Sequence, residues 1–151
     1  MNILFVCTGN TCRSCMAEAI FNSIKDSDKY IAKSAGIYVV HNSISSNNAC
    51  KVLKDNLNID IYNREAVQIN NYSISEADLI LTMTYDIKDL LIKNIPEISE
   101  KTFCITEYSG EEGEIPDPFG KNIEVYNNTY NYIKKNILLI LKKLKEDKHY
   151  L

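Results

Sequence analysis

Three cysteines surround one arginine near the N-terminus of the chain. Cys7 ends an apolar run, and Cys12, Arg13 and Cys15 follow it within a few residues. Thiols and a guanidinium at this spacing are compatible with a metal centre, a redox pair, or a thiolate nucleophile beside a bound anion. Each kind of site makes a different demand on the neighbouring residues.

A metal centre and a purely structural role explain these residues poorly. Structural zinc needs about four nitrogen or sulfur ligands, and Cys12-x-x-Cys15 has only His41 and His149 to complement it. We therefore expect no metal and no cofactor. Free cysteines are often small buried core residues, which suits Cys50 and Cys104 but leaves several polar residues near Cys7 unexplained, namely Gly9, Asn10, Arg13 and Ser14.

An anion-binding loop accounts for all of these residues. A chain that leaves a buried strand and enters a helix directs several backbone N–H groups to one point, where the helix start adds positive potential. Gly9 and Asn10 tolerate the left-handed backbone that such a loop requires. Arg13 adds a planar guanidinium that fits two phosphoryl oxygens. Cys7, at the strand end, would point into the same cavity, where the potential favours its thiolate form.

The elements that must position this loop are typical of an α/β fold. Apolar runs predict strands at 3–6 and 79–83, an alternating pattern predicts one at 30–34, and a last short strand is predicted at 103–105. Helical periodicity predicts helices from residue 14 onward, over 48–57, after residue 83 and over 126–144. Strands that alternate with helices predict a four-stranded parallel sheet with helices on both faces. The ligand is expected beyond the carboxyl ends of the strands, which places a phosphate-binding loop after the first strand.

Composition narrows the class of partner. The 151 residues are 45% hydrophobic and carry a net charge of -3, with an isoelectric point near 5.4. This length predicts one domain over residues 1–151. The acidic balance gives no basic surface for nucleic acid or an anionic membrane. We recognise no leader peptide and no membrane-spanning run, so we expect a cytoplasmic protein with reduced thiols. We also expect a monomer.

The loop sequence resembles a known signature. The string C-T-G-N-T-C-R-S at 7–14, with M-A-E at 16–18, resembles the C-x5-R-S motif of the low-molecular-weight protein tyrosine phosphatases, in the form carried by bacterial protein-arginine phosphatases. The resemblance extends over the chain through S-A-G at 34–36, A-D-L at 77–79, M-T at 83–84 and D-P-F-G at 117–120. The nucleotide-binding motif G-x-x-x-x-G-K-[ST] is absent from the sequence, so no nucleotide is implied.

The resemblance implies a cysteine-dependent hydrolase of phosphorylated proteins or peptides. Cys7 would attack phosphorus and form phosphocysteine, while Arg13 would hold the transferred group. Asp117, which alone would be an ordinary turn residue before proline, would protonate the leaving group and then deprotonate the water. The phosphate would be bound by Thr8, Gly9, Asn10, Thr11, Cys12, Arg13 and Ser14, with Ser34, Tyr38 and Phe119 supporting the cleft.

Thr11 bears on the choice of substrate. Tyrosine phosphatases that resemble this chain carry a bulky aliphatic residue here, usually Ile. A threonine hydroxyl can instead hydrogen-bond the guanidinium of phosphoarginine, and a buried hydroxyl without its partner costs about 1–3 kcal/mol. We therefore predict a protein-arginine phosphatase. The alternative is a tyrosine phosphatase in which Thr11 merely replaces Ile.

Four acidic residues precede Asp117 in the sequence. They either bind the guanidinium of the substrate or form a solvated loop: Glu107, Glu111, Glu112 and Glu114.

Two positions depart from the family pattern. Cys15 stands where the family has a proline, which suits a first helical turn. Tyr62-Asn63-Arg64 stands where the family has a histidine. The pair Cys12 and Cys15 is expected to be redox-active, with Cys12 capturing oxidised Cys7 as a disulfide and Cys15 as a competing partner.

Arsenate reductases share the fold and the first-cysteine motif, and they are a weaker alternative. Arsenate reductases share a second pair of cysteines around the region that corresponds to residues 81–89. In this chain that segment contains no cysteine.

Overall fold

The computed structural model of the protein describes residues 1–147. Within these residues, one parallel sheet is formed by β1 (Asn2–Cys7), β2 (Ile31–Gly36), β3 (Leu79–Thr82) and β4 (Thr102–Cys104), in the order β2-β1-β3-β4. The helices are α1 (Arg13–Ile24), α2 (Asn47–Leu57), α3 (Asn71–Glu76), α4 (Tyr85–Asn94), α5 (Ile105–Ser109) and α6 (Ile123–Glu146), with a 3₁₀ helix at Pro96–Lys101. The predicted α/β fold with a four-stranded parallel sheet is confirmed.

Side chains of the central strand β1 alternate between two cores. Ile3 and Phe5 face the larger core, where α1 and α6 cover the sheet, and Leu4 and Val6 face the smaller one under α3 and α4. A strand buried on both faces reads as a continuous apolar run because neither face is left for solvent. The carboxyl end of β1 lies between β2 and β3, so Cys7 emerges at the centre of the sheet.

Predicted boundaries differ from the structure at several places. β2 begins at Ile31 and continues to Gly36, and α6 begins three residues before the predicted start, at Ile123. Asn122 caps that helix, since its Oδ1 accepts a hydrogen bond from Val125 N at 3.1 Å. The prediction that Ile105 ends the last strand was wrong, because it begins α5. The short α3 and the 3₁₀ helix were not predicted.

Gly36 is the last residue of β2. A Cβ at this position would lie 2.6 Å from the backbone oxygen of Thr8 and 3.0 Å from the nitrogen of Asn10. Any side chain would therefore displace the segment that follows β1. Ile37 N and Tyr38 N continue the contact by donating hydrogen bonds to the backbone oxygens of Cys7 and Thr8 at 3.1 and 2.9 Å.

No helix within residues 1–147 combines the length and apolar character needed to cross a bilayer.

Candidate active site

The segment 7–14 connects β1 to α1 and is called the phosphate loop below. Asn10 has a left-handed backbone with a φ of 56°, as its residue type allows. Gly9 was expected to share this conformation, but its φ is not positive. Its glycine identity has a different effect: the nearest atom to an added Cβ is Thr11 Oγ1 at 3.9 Å, and no side chain at position 9 narrows the cavity that the loop lines.

Cys7 lies at the floor of this loop with two hydrogen-bond partners. Its Sγ is 2.8 Å from Ser14 Oγ and accepts from Asn10 N at 3.2 Å. Asn10 Nδ2 also donates to Ser14 Oγ at 2.7 Å. Because Ser14 Oγ receives that proton as an acceptor, its own hydroxyl proton is free to point at a thiolate on Cys7. Hydrogen bonds to the charged form of a thiol favour that form.

Arg13 joins the phosphate loop to the segment that carries Asp117. Its guanidinium is buried, and Nη1 donates to the backbone oxygen of Ile115 at 3.1 Å. Its Nη2 lies 3.5 Å from Asp117 Oδ2. Ile115 N is itself bound to Met83 O at 3.0 Å, just beyond β3. Asp117 is half exposed, and its Oδ1 accepts from Phe119 N at 3.1 Å. Cys7, Arg13 and Asp117 thus line one cavity.

A cavity of about 470 Å³ opens above Cys7. Tyr38 and Phe119 are both exposed and lie on its rim, and Thr11 forms part of its wall. Ser34 was predicted to support the cleft but does not line it. It is buried behind the loop, where its Oγ accepts from Asn10 Nδ2 at 2.9 Å. The remaining lining residues are Cys7, Thr8, Gly9, Cys12, Arg13, Val40, Ser43, Ile44, Ser46 and Asp117.

Cys12 and Cys15 have different surroundings. Cys12 lines the cavity, and its Sγ lies 3.1 Å from Tyr126 Oη and 3.3 Å from Ser46 Oγ. Cys15 does not line it, and its Sγ donates to the backbone oxygen of Cys12 at 3.1 Å. Burial raises the pKa of Cys15 to about 12. Cys15 is thus enclosed behind the cavity wall, and its part as a competing redox partner stays a prediction.

The acidic residues near Asp117 make structural contacts. Glu107 pairs with Lys88 at 2.8 Å, and Glu111 pairs with Lys135 at 2.7 Å. Glu114 Oε1 accepts from the backbone nitrogen of Tyr85 at 2.8 Å, at the start of α4. Neither these three nor Glu112 lines the cavity. The solvated-loop interpretation of this segment therefore fits better than guanidinium binding.

Sequence reasoning missed Arg64 and Glu18, which lie behind the phosphate loop. Arg64 Nη1 donates to Asn10 Oδ1 at 3.0 Å, and Arg64 Nη2 lies 3.2 Å from Glu18 Oε2. The available signal was the departure from the family pattern at Tyr62-Asn63-Arg64, the stretch in which the family has a histidine. Among residues 1–147, no three His, Cys, Asp or Glu side chains are placed to hold a metal ion. His149 lies outside the described residues.

Comparison with known proteins supplies the family. A protein-arginine-phosphatase of Geobacillus stearothermophilus is 38% identical over 146 residues, which cover 96% of this chain and 97% of that protein. The crystal structure of a low molecular weight protein tyrosine phosphatase from T. tengcongensis superposes with a TM-score of 0.88 at 39% identity, covering 95% of this chain and 99% of that one.

A YwlE arginine phosphatase mutant, in which serine replaces cysteine and the active site serine is phosphorylated, has a TM-score of 0.90 at 33% identity over 99% of each chain. A family model described as low molecular weight phosphotyrosine protein phosphatase matches residues 2–150. The chain therefore belongs to the low-molecular-weight protein tyrosine phosphatase family, the cysteine-based phosphatases that include the bacterial protein-arginine phosphatases.

Proposed function

We propose that the protein hydrolyses phosphoarginine in proteins or peptides through a phosphocysteine intermediate. The observation that carries this proposal is the position of Thr11 in the wall of the cavity above Cys7. Its Oγ1 makes only a long contact of 3.7 Å, to Cys12 Sγ, among the contacts of residues 1–147. The hydroxyl is therefore available to a polar leaving group.

In the first step, the Cys7 thiolate attacks phosphorus in line with the leaving group. An S–P bond forms, the P–N bond to the guanidine breaks, and protonated Asp117 transfers its proton to the departing nitrogen. The backbone N–H groups of the phosphate loop and the Arg13 guanidinium hold the three equatorial oxygens, over which the charge of a loose transition state spreads.

In the second step, Asp117 removes a proton from a water molecule that attacks the phosphocysteine. The S–P bond breaks, and inorganic phosphate and the Cys7 thiolate are released. Arg13 Nη2 and Asp117 Oδ2 are 3.5 Å apart. A bound phosphate takes this donor of Arg13 and leaves the carboxyl of Asp117 to face the leaving group.

Protein-tyrosine phosphatase activity is the second candidate. The exposed rings of Tyr38 and Phe119 on the cavity rim suit a phenyl group as well as a planar guanidinium. The relative from T. tengcongensis, which carries a tyrosine phosphatase name, supports this candidate. The two aromatic residues do not discriminate between the substrates, so the discrimination rests on Thr11.

Replacing Thr11 by isoleucine tests this assignment. We expect kcat/KM for a phosphoarginine peptide to fall about 5- to 150-fold, because the hydroxyl that hydrogen-bonds the guanidinium is lost. We expect kcat/KM for a matched phosphotyrosine peptide to stay the same or rise. Thr11→Val removes the hydroxyl but keeps the size of the side chain, so it shows whether the hydroxyl itself matters. Thr11→Ser keeps a hydroxyl and should retain the preference for phosphoarginine over phosphotyrosine. A wild-type protein that favours phosphotyrosine, or a preference that Thr11→Ile leaves unaltered, would contradict the assignment.

We further propose that the substrates are phosphorylated proteins or peptides, and that residues 1–151 act as one domain and as a monomer. The exposed rim of the cavity supports access by a side chain on another protein. A cytoplasmic location is supported by five free thiols, since a reducing compartment keeps cysteines unpaired.

We also propose that Cys12 protects Cys7 from irreversible oxidation. Peroxide oxidises the Cys7 thiolate to a sulfenic acid, and the Cys12 thiol then displaces water to form a disulfide. Mass spectrometry after limited peroxide treatment should find the Cys7–Cys12 disulfide and full recovery of activity with dithiothreitol. Cys12→Ser should lose recovery, whereas Cys15→Ser should keep it. Cys7 sulfonic acid without any disulfide in the wild-type protein would refute this role.

A further inference from the structure

A second cavity adjoins the catalytic cavity above Cys7. It has a volume of about 330 Å³, at the lower end of the range for small-ligand sites, and is lined by residues 39–43 together with Glu65, Ala66 and Gln68. One residue in this lining, Ser43, also lines the catalytic cavity. The two spaces therefore share a wall, and the second one is called the flanking cavity below.

Hydrogen bonds fix the walls of the flanking cavity relative to each other. Gln68 Oε1 accepts from Val39 N at 2.9 Å, and Gln68 Nε2 donates to Ile37 O at 2.9 Å. Ala66 N donates to Ser43 O at 2.9 Å. Because these walls are already ordered, a ligand that enters loses little affinity to the ordering of the protein.

The register between the two walls places Glu65 beside the catalytic cavity. Ile44, which lines the catalytic cavity, lies opposite Glu65 in an antiparallel bridge. The neighbouring residues on either side form the backbone hydrogen bonds, each 2.9 Å long, so this is a non-hydrogen-bonded pair with Cβ atoms about 4.5–5.5 Å apart. An extended peptide rises about 3.3–3.4 Å per residue. A residue one or two positions from the one in the catalytic cavity can therefore reach Glu65.

Glu65 gives the flanking cavity a negative charge. Among the described residues, it is the only Asp, Glu, Lys or Arg in the lining, which also includes His41. The side chain is exposed, and its carboxylate has no ion pair or hydrogen bond with another residue in 1–147. An unpaired carboxylate at the wall of a cavity attracts a cation on the ligand.

The hydroxyl of Ser43, in the shared wall, lacks a hydrogen bond. Its Oγ is shielded from solvent and has no partner within residues 1–147. A buried hydroxyl without a partner costs free energy, and a hydroxyl that no hydrogen bond holds can turn about χ1 toward either cavity. Ser43 Oγ is therefore available as an acceptor for an N–H group in the flanking cavity.

We propose that the flanking cavity binds the cationic side chain of a lysine or arginine one or two positions from the phosphorylated residue of the substrate. Glu65 pairs with the positive charge, and Ser43 Oγ accepts one of the N–H groups. This inference rests on the proposed function and deepens it, because it adds a sequence preference to the recognition of the phosphorylated side chain.

The test uses peptides that differ only beside the phosphorylated residue. Lysine, glutamine or glutamate is placed in turn at each of the two positions on either side, and kcat/KM is measured for phosphoarginine and for phosphotyrosine peptides. The variants are Glu65→Gln, Glu65→Lys and Ser43→Ala. Glu100→Gln is the matched control, because Glu100 is an exposed carboxylate on the 3₁₀ helix that lines neither cavity. Glu65→Gln should fold like the wild type, because it removes no side-chain contact of residues 1–147.

We expect the wild type to prefer lysine over glutamine about 1.5- to 5-fold at one of these positions, the usual strength of an exposed ion pair, and to disfavour glutamate there. Glu65→Gln should abolish the preference, Glu65→Lys should reverse it, and Ser43→Ala should weaken it. The wild-type preference should shrink between about 0.1 M and about 1 M salt, where the screening length falls from about 10 Å to about 3 Å. Glu100→Gln should match the wild type.

A wild-type protein with the same kcat/KM for all three residues at every position would overturn the proposal, as would a lysine preference that survives in Glu65→Gln. A preference that Ser43→Ala leaves unchanged would refute the hydrogen bond assigned to Ser43. The lysine preference is measured with both phosphorylated residues. It can therefore be missing while phosphoarginine is hydrolysed, or present while only phosphotyrosine is hydrolysed, so failure of this site is distinguishable from failure of the proposed function.

Discussion

Replacing Cys7 by serine should lower turnover of a phosphoarginine peptide by about 10⁴-fold or more, the usual cost of losing a nucleophile. A serine hydroxyl is largely protonated where a thiol would be ionised, and Ser14 Oγ, 2.8 Å from Cys7 Sγ, is placed to stabilise a thiolate. An oxygen is also a poorer leaving group than sulfur in the second step. The expected product is therefore a stable phosphoserine at position 7.

Intact-protein mass spectrometry after incubation with substrate should detect one added phosphoryl group in Cys7→Ser, and peptide mapping should place it on residue 7. The phosphorylated serine in the related arginine phosphatase mutant is consistent with this outcome. Cys104→Ser is the matched control, because Cys104 is equally buried in β4, away from the cavity. Substantial turnover by Cys7→Ser would refute the phosphocysteine mechanism.

Replacing Asp117 by asparagine should slow the reaction with phosphoarginine by about 10²- to 10⁴-fold, the range for loss of a general acid. Asparagine can still accept the hydrogen bond from Phe119 N, which is 3.1 Å long in the wild-type protein, so the turn should persist. It has no proton to transfer to the leaving nitrogen. The contact of Arg13 with position 117 becomes weaker, because the charge of the carboxylate is removed.

The identity of the leaving group separates this role from a structural one. When the substrate is the phosphate ester of an acidic phenol, the phenolate leaves without needing a proton. The single-turnover rate of Cys7 phosphorylation by such a substrate should therefore fall far less in Asp117→Asn. Asp55→Asn is the control, since Asp55 forms an exposed pair with Lys51 on α2. Equal losses with both substrates would show that Asp117 acts through the shape of the site and not as an acid.

The phosphate loop could be predicted because it is local in sequence. Three features follow one another within a few positions, and each constrains the next: a buried strand, a residue that accepts a left-handed backbone, and the start of a helix. Asp117 is different, because Ile115 brings its segment to Arg13 across a separation of 102 residues. No local pattern indicates that approach, and only the family resemblance pointed to it.

The elements that were missed are short and lack an apolar period. α5 begins at Ile105, which reads as the end of a strand, yet Glu107 caps its first turn and Gly110 ends it with a φ of 84°. α3 depends on a reciprocal cap between Asn70 and Ser73. Such helices are fixed by side-chain hydrogen bonds to the backbone, which hydrophobic periodicity does not detect.

Arg64 shows a different limit of sequence analysis. Its contact with Asn10 spans 54 residues and joins two polar side chains. Such a contact has no hydrophobic signature in a single sequence. The departure from the family pattern at Tyr62-Asn63-Arg64 was visible in the sequence, but the contact of Arg64 with Asn10 is visible only in the folded chain.

The positions of the five thiols determine which of them can react with electrophiles. All five are buried, yet Cys7 and Cys12 face the cavity, whereas Cys15, Cys50 and Cys104 do not line it. A covalent reagent must therefore enter the same space as a phosphorylated side chain before it meets sulfur. Its selectivity will be set by its fit to a cavity of about 470 Å³ and not by its intrinsic reactivity. If bound phosphate slows the reaction of Cys7 and Cys12 with such a reagent, the decrease in rate measures how much of the cavity is occupied, without any turnover.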